Sequence, residues 1–256
     1  MTESQTASPP PLAAIAPAVG FPVTLCVICY GANVELARRF LASLYGCTDA
    51  ALFILRAGLN EVEAATLELF RAYAKKFRNV ELWLEPKNVF KNPLMRRLFH
   101  ERPITSRWTL WCDDDTHFTR TDWLQRLALK IEEQPATLMW NMLHKLWRRD
   151  EFIRQWIEAA PWYRGRPLSR GRDLDGNEAT EFVFPTGAFW AVRTSVIREL
   201  DWPDSRLVQA NDDFLFGEAM RQNDWPMDEF HYGIRINDAP RRNAAATEVR
   251  DLGALP

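Results

Sequence analysis

Between Glu3 and Glu35 the chain carries no charged residue. The run lacks the basic n-region of a secretory leader, and Pro9, Pro10, Pro11, Pro17 and Pro22 interrupt it as a membrane span. The sequence therefore predicts an Ala/Pro-rich, disordered tail over residues 1–20, ahead of a soluble, cytoplasmic domain. Charge of either sign is not in excess: the net charge is -2, so no global field points to nucleic acid or membrane. Cysteine is scarce, with four in 256 residues. Cys26 and Cys29 have CxxC spacing, but they lie in an apolar, β-branched run. Residues three apart on a strand point to opposite faces, which argues for core thiols rather than a zinc or redox pair. No Gly-rich basic loop follows the first apolar run, where Gly31-Ala32-Asn33 has no Lys or Arg. No internal repeat is present.

What is abundant is apolar and aromatic. Hydrophobic residues make up 47% of the chain and eleven are Trp, enough for the core of one large α/β domain. The pattern alternates strand and helix. Residues 23–30 read as a continuous buried strand, 35–45 as a helix, 51–55 as a second strand ending at Arg56, and 61–77 as a second helix. A third strand follows at 80–84, then a loop at 86–92 and a helix that Pro93 starts. A fourth strand at 108–112 runs into Asp113-Asp114-Asp115, and a helix capped by Thr121 covers 122–131. Alternation of this kind predicts a parallel, Rossmann-like sheet flanked by helices.

Ligands bind beyond the carboxyl ends of strands in such sheets, and the acidic triplet sits at one. Adjacent carboxylates repel, and a divalent cation held by hard oxygens is a natural counter-charge. A solvated acidic turn is the alternative. The second half is less regular. Residues 136–143 read as a strand. Residues 141–172 hold eight Lys/Arg against three Asp/Glu, and the stretch 163–172, with two Gly and a Pro, suits a solvated loop or a lid whose guanidinium groups meet phosphate. Residues 182–192 read as a strand broken at Thr186-Gly187-Ala188, and 194–200 as a short helix. Asn211-Asp212-Asp213 precedes a helix over 214–222. A polar segment at 237–256 reads as a tail.

The order of these parts resembles the family-two glycosyltransferases with the GT-A fold. Five stretches carry the resemblance: residues 23–46; LEPKNVFKNPLMRRLF, beside their N-x-G-x-x-x-A-R-N; WTLWCDDDTHF, beside their D-x-D; PTGAFWAVRTSVIREL; and NDDFLFGEAMRQNDW, beside their E-D-x-x-L. The resemblance implies a GT-A domain over 21–236, with a nucleotide-sugar half at 21–133 and an acceptor half at 134–236. It implies Mn²⁺ or Mg²⁺ on Asp115 and Asp113, with His231 as a further ligand, and a donor site including Tyr30, Arg56, Asn88, Lys91, Asp113 and Asp114. Arg56 falls where the family has a uracil-recognising Asp, and a guanidinium cannot accept the base N–H. Asp212, with Asp213 beside it, aligns with the catalytic base. Gly187, Trp190 and Trp162 fall on the acceptor side. The implied reaction is inverting transfer of one sugar from a nucleotide-diphosphate-sugar to a hydroxyl of a glycan, a small molecule or a modified nucleic-acid base. A nucleotidyltransferase of related fold and a non-catalytic carbohydrate- or nucleotide-binding module are the competing readings.

Overall fold

The computed structural model describes residues 19–149, 151–209 and 211–236. The tails expected at 1–20 and 237–256 lie outside these residues, apart from Val19 and Gly20. Val19 is 1% exposed and belongs to the core, so the folded domain begins by that residue.

The first half builds a parallel sheet. Its elements are β1 (Val23–Gly31), α1 (Val34–Cys47), β2 (Phe53–Val62), α2 (Ala64–Lys76), β3 (Val80–Glu85), α3 (Lys91–His100) and β4 (Trp108–Asp113). A short β5 (Thr116–Phe118) and α4 (Trp123–Glu133) follow. The second half contains β6 (Met139–Arg148), α5 (Glu151–Glu158), β7 (Arg170–Arg172), β8 (Glu178–Arg193), α6 (Thr194–Leu200), α7 (Asp212–Gln222), β9 (Met227–Glu229) and β10 (Ile234–Ile236). The main sheet runs β3-β2-β1-β4-β8-β6-β9, with β7 on β8; β10 and β5 form a separate ribbon. β3, β2, β1 and β4 are mutually parallel, and β8 is antiparallel to both β4 and β6. The domain is a mixed α/β layer structure whose main sheet has four parallel and three antiparallel strand pairs.

β1 shows why its sequence is apolar throughout. Val23, Leu25, Val27 and Cys29 pack into one core with Phe40 and Leu44 of α1, Phe70 of α2 and Leu127 of α4. Cys26 and Ile28 face the other core, with Leu94 and Leu98 of α3, Val196 of α6 and Leu215 of α7. A strand covered on both faces needs apolar side chains at every position. The two thiols do lie in different cores, and burial pushes the Cys26 thiol up to about 12. That makes it an inert core group.

Three elements differ from the sequence reading. β2 does not stop at residue 55 but runs to Val62, carrying Arg56 into its interior. β8 is one continuous strand of 16 residues through Thr186-Gly187-Ala188; the irregularity sits instead in its partner, between Asn141 and Leu143 of β6. The stretch 163–172, read as a loop, ends in strand β7. Among the described residues no helix is long and apolar enough to cross a membrane.

The long β8 sets up the site. Cys112 at the end of β4 pairs with Phe189, so residues of β8 before 189 project past the carboxyl end of β4. Helix α7 packs across this projection. At Gly217 a Cβ would lie 2.2 Å from the Val183 carbonyl oxygen, so only glycine lets the helix seat this closely on the strand. That seating carries the start of α7 to Gly187.

Candidate active site

Four polar side chains converge where β4, α3, β8 and α7 meet. The Lys91 ammonium, at the start of α3, donates to Asp212 Oδ2 at 2.8 Å. It lies 3.9 Å from Asp213 Oδ1 and 4.0 Å from Asp113 Oδ1. The Lys91 side chain is 20% exposed and that of Asp212 only 7%, so the ammonium is the counter-charge of a largely dry acidic cluster. Burial alone would push Lys91 down; Asp212, Asp213 and Asp113 outweigh it, and the net shift is upward. The same burial pushes the Asp213 carboxyl up to about 8; Lys91 opposes that rise, while Asp212 and Asp113 add to it. Asp213 is the more open of the α7 pair, with its side chain 31% exposed.

Local backbone explains how these groups are held. Lys91 follows Phe90, whose φ of 65° and ψ of 168° lie where glycine is normally required. Phe90 stands where the resembled N-x-G motif has its glycine. Asn88 steadies the bend by accepting from the Phe90 amide at 2.8 Å. The Lys91 amide donates to Gln209 Oε1 at 3.1 Å and the Asn92 amide to the Val208 carbonyl at 3.0 Å. These bonds tie the start of α3 to the segment that leads into α7. Asn211, the N-cap of α7, is left-handed at φ 68°, a conformation Asn tolerates well.

Below the cluster lies an aromatic floor. Lys91 Nζ sits 5.6 Å from the centroid of Trp111, and Trp111 Nε1 donates to Asp113 Oδ1 at 3.3 Å. Trp190 stacks behind Trp111 with ring centroids 6.0 Å apart. Gly187 leaves the opposite wall open: a Cβ there would lie 3.0 Å from both Asp113 Oδ2 and Asp213 Oδ2. Two carboxylate oxygens thus border one small space. Hard oxygen donors in this number suit Mg²⁺ or Mn²⁺ when substrate phosphates and water complete the coordination. Among the described residues no group of three or more His, Cys, Asp or Glu is arranged to hold a metal by itself.

The other expected residues fall in several places. Asp114 is 1% exposed, buried between Asp113 and Asp115 in sequence. Asp115 lies in the turn between β4 and β5, where its carbonyl accepts from Arg39 Nη2 at 3.2 Å. Tyr30 pairs with Asn60 across β1 and β2, and Asn60 Nδ2 donates to Asn88 Oδ1 at 2.9 Å. Tyr30, Asn60 and Asn88 therefore form the neighbourhood at the carboxyl end of β2.

Arg56 does not belong to that end, which corrects the expected donor-site role. It is 4% exposed within β2. Its guanidinium donates to the carbonyls of Leu98, Arg102 and Pro103 at 2.7, 2.8 and 3.0 Å and pairs with Glu81 at 3.1 Å. Arg56 fastens the turn after α3 to the sheet, and Asn60 takes the strand-end position. Arg56→Met is expected to destabilise the fold by about 3 kcal/mol, because three carbonyls and a carboxylate lose their donor. Nucleotide affinity of the folded variant should equal that of the parent; a selective loss of nucleotide binding at unchanged melting temperature would restore the donor-site role.

Trp190 and Trp162 are also corrected. They are 2% and 1% exposed, so neither presents a face to an acceptor. Trp190 backs the floor, and Trp162 packs near Trp156. His231 is exposed and not at the cluster. Ile234 pairs with Phe118 and Ile236 with Thr116, so His231 lies beyond the end of the β5–β10 ribbon opposite Asp115. It borders a separate cavity with Arg120 and Lys130. The proposed lid is tied down in its first half, since the amides of Arg164 and Arg166 both donate to Gln222 Oε1 at 3.1 Å. Asn60 and the strained Phe90 are the site neighbours that the sequence reading passed over; the N-x-G motif was the signal that could have drawn attention to Phe90.

No family model matches the sequence, and no curated protein does. Solved structures do. The chain is similar to S. aureus TarS 1–349, at 15% identity over 81% of this chain and 57% of that one, with a TM-score of 0.51. Against the same protein in complex with UDP the TM-score is 0.52, again at 15% identity. The mannosyltransferase PcManGT from Pyrobaculum calidifontis, in complex with GDP-Man and Mn²⁺, aligns over 70% of this chain and 46% of that one, with a TM-score of 0.46 and 15% identity. The chain spans about half the length of these matched structures. It has the GT-A-type fold of glycosyltransferases.

Proposed function

We propose that the chain is a glycosyltransferase that moves one sugar from a nucleotide-diphosphate-sugar to an acceptor hydroxyl with inversion. The observation that carries this reading is the convergence of Asp113, Lys91, Asp212 and Asp213 on the space beside Gly187, at the carboxyl end of β4. On a GT-A-type fold this is where a donor diphosphate and an acceptor can meet. The TarS structure with UDP supports a nucleotide as the class of molecule to try first.

In this reading Tyr30, Asn60 and Asn88 border the nucleoside. Lys91, with three N–H donors, holds Asp212 and neutralises the departing diphosphate. Asp113 and Asp115 would hold Mn²⁺ or Mg²⁺, and the metal would supply Lewis-acid stabilisation of the leaving group. The sequence favoured Asp212 as the base. The geometry favours Asp213, which is more open and whose proton affinity lies near the working pH, as general-base catalysis prefers. Asp212 is then a positioning residue, held by Lys91. None of the four cysteines forms a disulfide, in agreement with a reducing, cytoplasmic setting. A nucleotidyltransferase fits less well, because the turn at Gly31-Ala32-Asn33 offers no basic group to a triphosphate.

The test is a melting-temperature panel of nucleoside diphosphates and nucleotide-sugars, each with and without Mn²⁺. A ligand that binds only the native state raises the melting point, by about 2.7 kcal/mol of stability at a hundredfold excess over its dissociation constant. One nucleotide is expected to stand out and to need the metal. No response to any member would sink the reading.

A further inference from the structure

A second basic site lies away from the cluster. Past the last residue that pairs with β4, β8 continues as an antiparallel arm with β6 and β7: Arg148 of β6 pairs with Thr180, and so does Arg170 of β7. At the tip is a cavity of about 460 Å³. Five arginines line it, Arg148, Arg149, Arg154, Arg170 and Arg172, against two glutamates, Glu151 and Glu178. Two of the arginines are matched, Arg149 by Asp173 and Asp175 and Arg154 by Glu151 and Glu158. The other three are not matched by carboxylates among the described residues. Arg172 donates to the Gly176 carbonyl at 2.8 Å, Arg148 lies 5.9 Å from the Phe214 ring, and Arg170 has neither kind of contact.

Like charges brought together around a concavity repel, and a site with three guanidiniums unmatched among the described residues is stabilised by an anion. Guanidinium forks match phosphate oxygens in pairs. We infer that the arginine cavity at the tip of the β6–β7–β8 arm is a binding site for phosphate groups, and that the phosphate belongs to the acceptor. The seven residue steps from Gly187 to Thr180 span about 23 Å at strand rise. The acceptor would therefore be an extended, phosphate-bearing chain, whose charge is held at the arm while a hydroxyl reaches Gly187. Single-stranded nucleic acid is less well suited: such sites stack bases on open aromatic faces, whereas Trp156 and Trp162 of this region are 5% and 1% exposed. The acceptor assignment rests on the transferase reading; the phosphate site does not.

The experiment is calorimetric titration of metal-free protein with inorganic tripolyphosphate, for the parent and for the triple variant Arg148→Gln, Arg170→Gln, Arg172→Gln. All three positions are exposed, so the variant should melt with the parent. The parent is expected to bind saturably and more weakly as salt rises, and the triple variant about tenfold or more weakly. UDP titrated with Mn²⁺ should bind both proteins alike. Equal tripolyphosphate affinity in the two proteins, or no saturable binding by the parent, overturns the site. Citrate binding as tightly as tripolyphosphate overturns its phosphate character. A single-stranded oligonucleotide of matched charge binding tenfold tighter overturns the acceptor class. Failure of the UDP arm alone counts against the transferase reading and leaves the phosphate site standing.

Discussion

Lys91→Met is expected to cost about 3–5 kcal/mol of folding stability, the usual result of removing one partner from a buried ion pair. The reason is the company that Lys91 keeps. Its ammonium touches Asp212 at 2.8 Å and lies within 4.0 Å of Asp113 and Asp213; without it three carboxylates share one partly buried corner. The loss should depend on pH, with a definite sign. The Asp213 carboxyl is already raised by burial, and Lys91 is the charge that opposes the rise. Removing Lys91 raises it further. A raised folded-state value means that the folded protein keeps a proton the unfolded chain gives up, so the variant is least penalised in acid and loses stability as pH rises. Denaturant titrations at about pH 5 and pH 8, in chelator, measure this. A deficit below about 1 kcal/mol at both pH values would mean that the ammonium is an exposed surface charge. Added Mn²⁺ should recover part of the loss if Asp113 and its neighbours accept a metal, because an ion that binds only the native state stabilises it.

Much of this was legible in the chain. β1 could be read because a strand buried on both faces leaves an unbroken apolar run, and the packing of Cys26 and Cys29 into opposite cores follows from the two-residue period of a strand. Asp113 could be placed at a strand end because the run of Trp108 to Cys112 stops at a carboxylate. The expectation that the acids needed a counter-charge was sound physics. The structure meets it with a lysine 22 positions earlier in the chain, a pairing that no local pattern encodes. Arg56 misled for a related reason. A charged residue after an apolar run reads as the end of a strand, since Arg is almost never buried unless paired, and its partners are carbonyls of residues 98, 102 and 103. The tryptophans misled in the opposite direction: a large ring suits a sugar or a core equally, and only the neighbours decide. Trp190 has Trp111, Phe99 and Phe216 around it. The basic stretch hid α5 and β7 because its arginines lie on the faces that look outward, while Ile153, Trp156 and Ile157 turn inward.

Asp213→Asn should reduce transfer by about 10²–10⁴-fold, the range for removal of a general base, without loss of the fold. The amide is isosteric with the carboxylate, and the position is partly open. Stability should in fact move the other way. Asp213 holds its proton to about pH 8 in the folded protein, against an ordinary value of 3.8. Its contribution is therefore complete below about pH 4 and is lost as pH rises through 8. Asparagine has no proton to lose, so without metal the variant's melting temperature should gain on the parent's between pH 4 and pH 8, and the gain should level off above that. A base acts on kcat, whereas a residue that only holds a metal should also weaken the binding of the nucleotide with Mn²⁺. Asp212→Asn supplies the contrast. It breaks the 2.8 Å bond to Lys91 and is expected to lower stability, while some transfer remains. If Asp213→Asn kept parental turnover and Asp212→Asn abolished it, the base would be Asp212. The openness of Asp213 would then serve the metal or the acceptor rather than the proton.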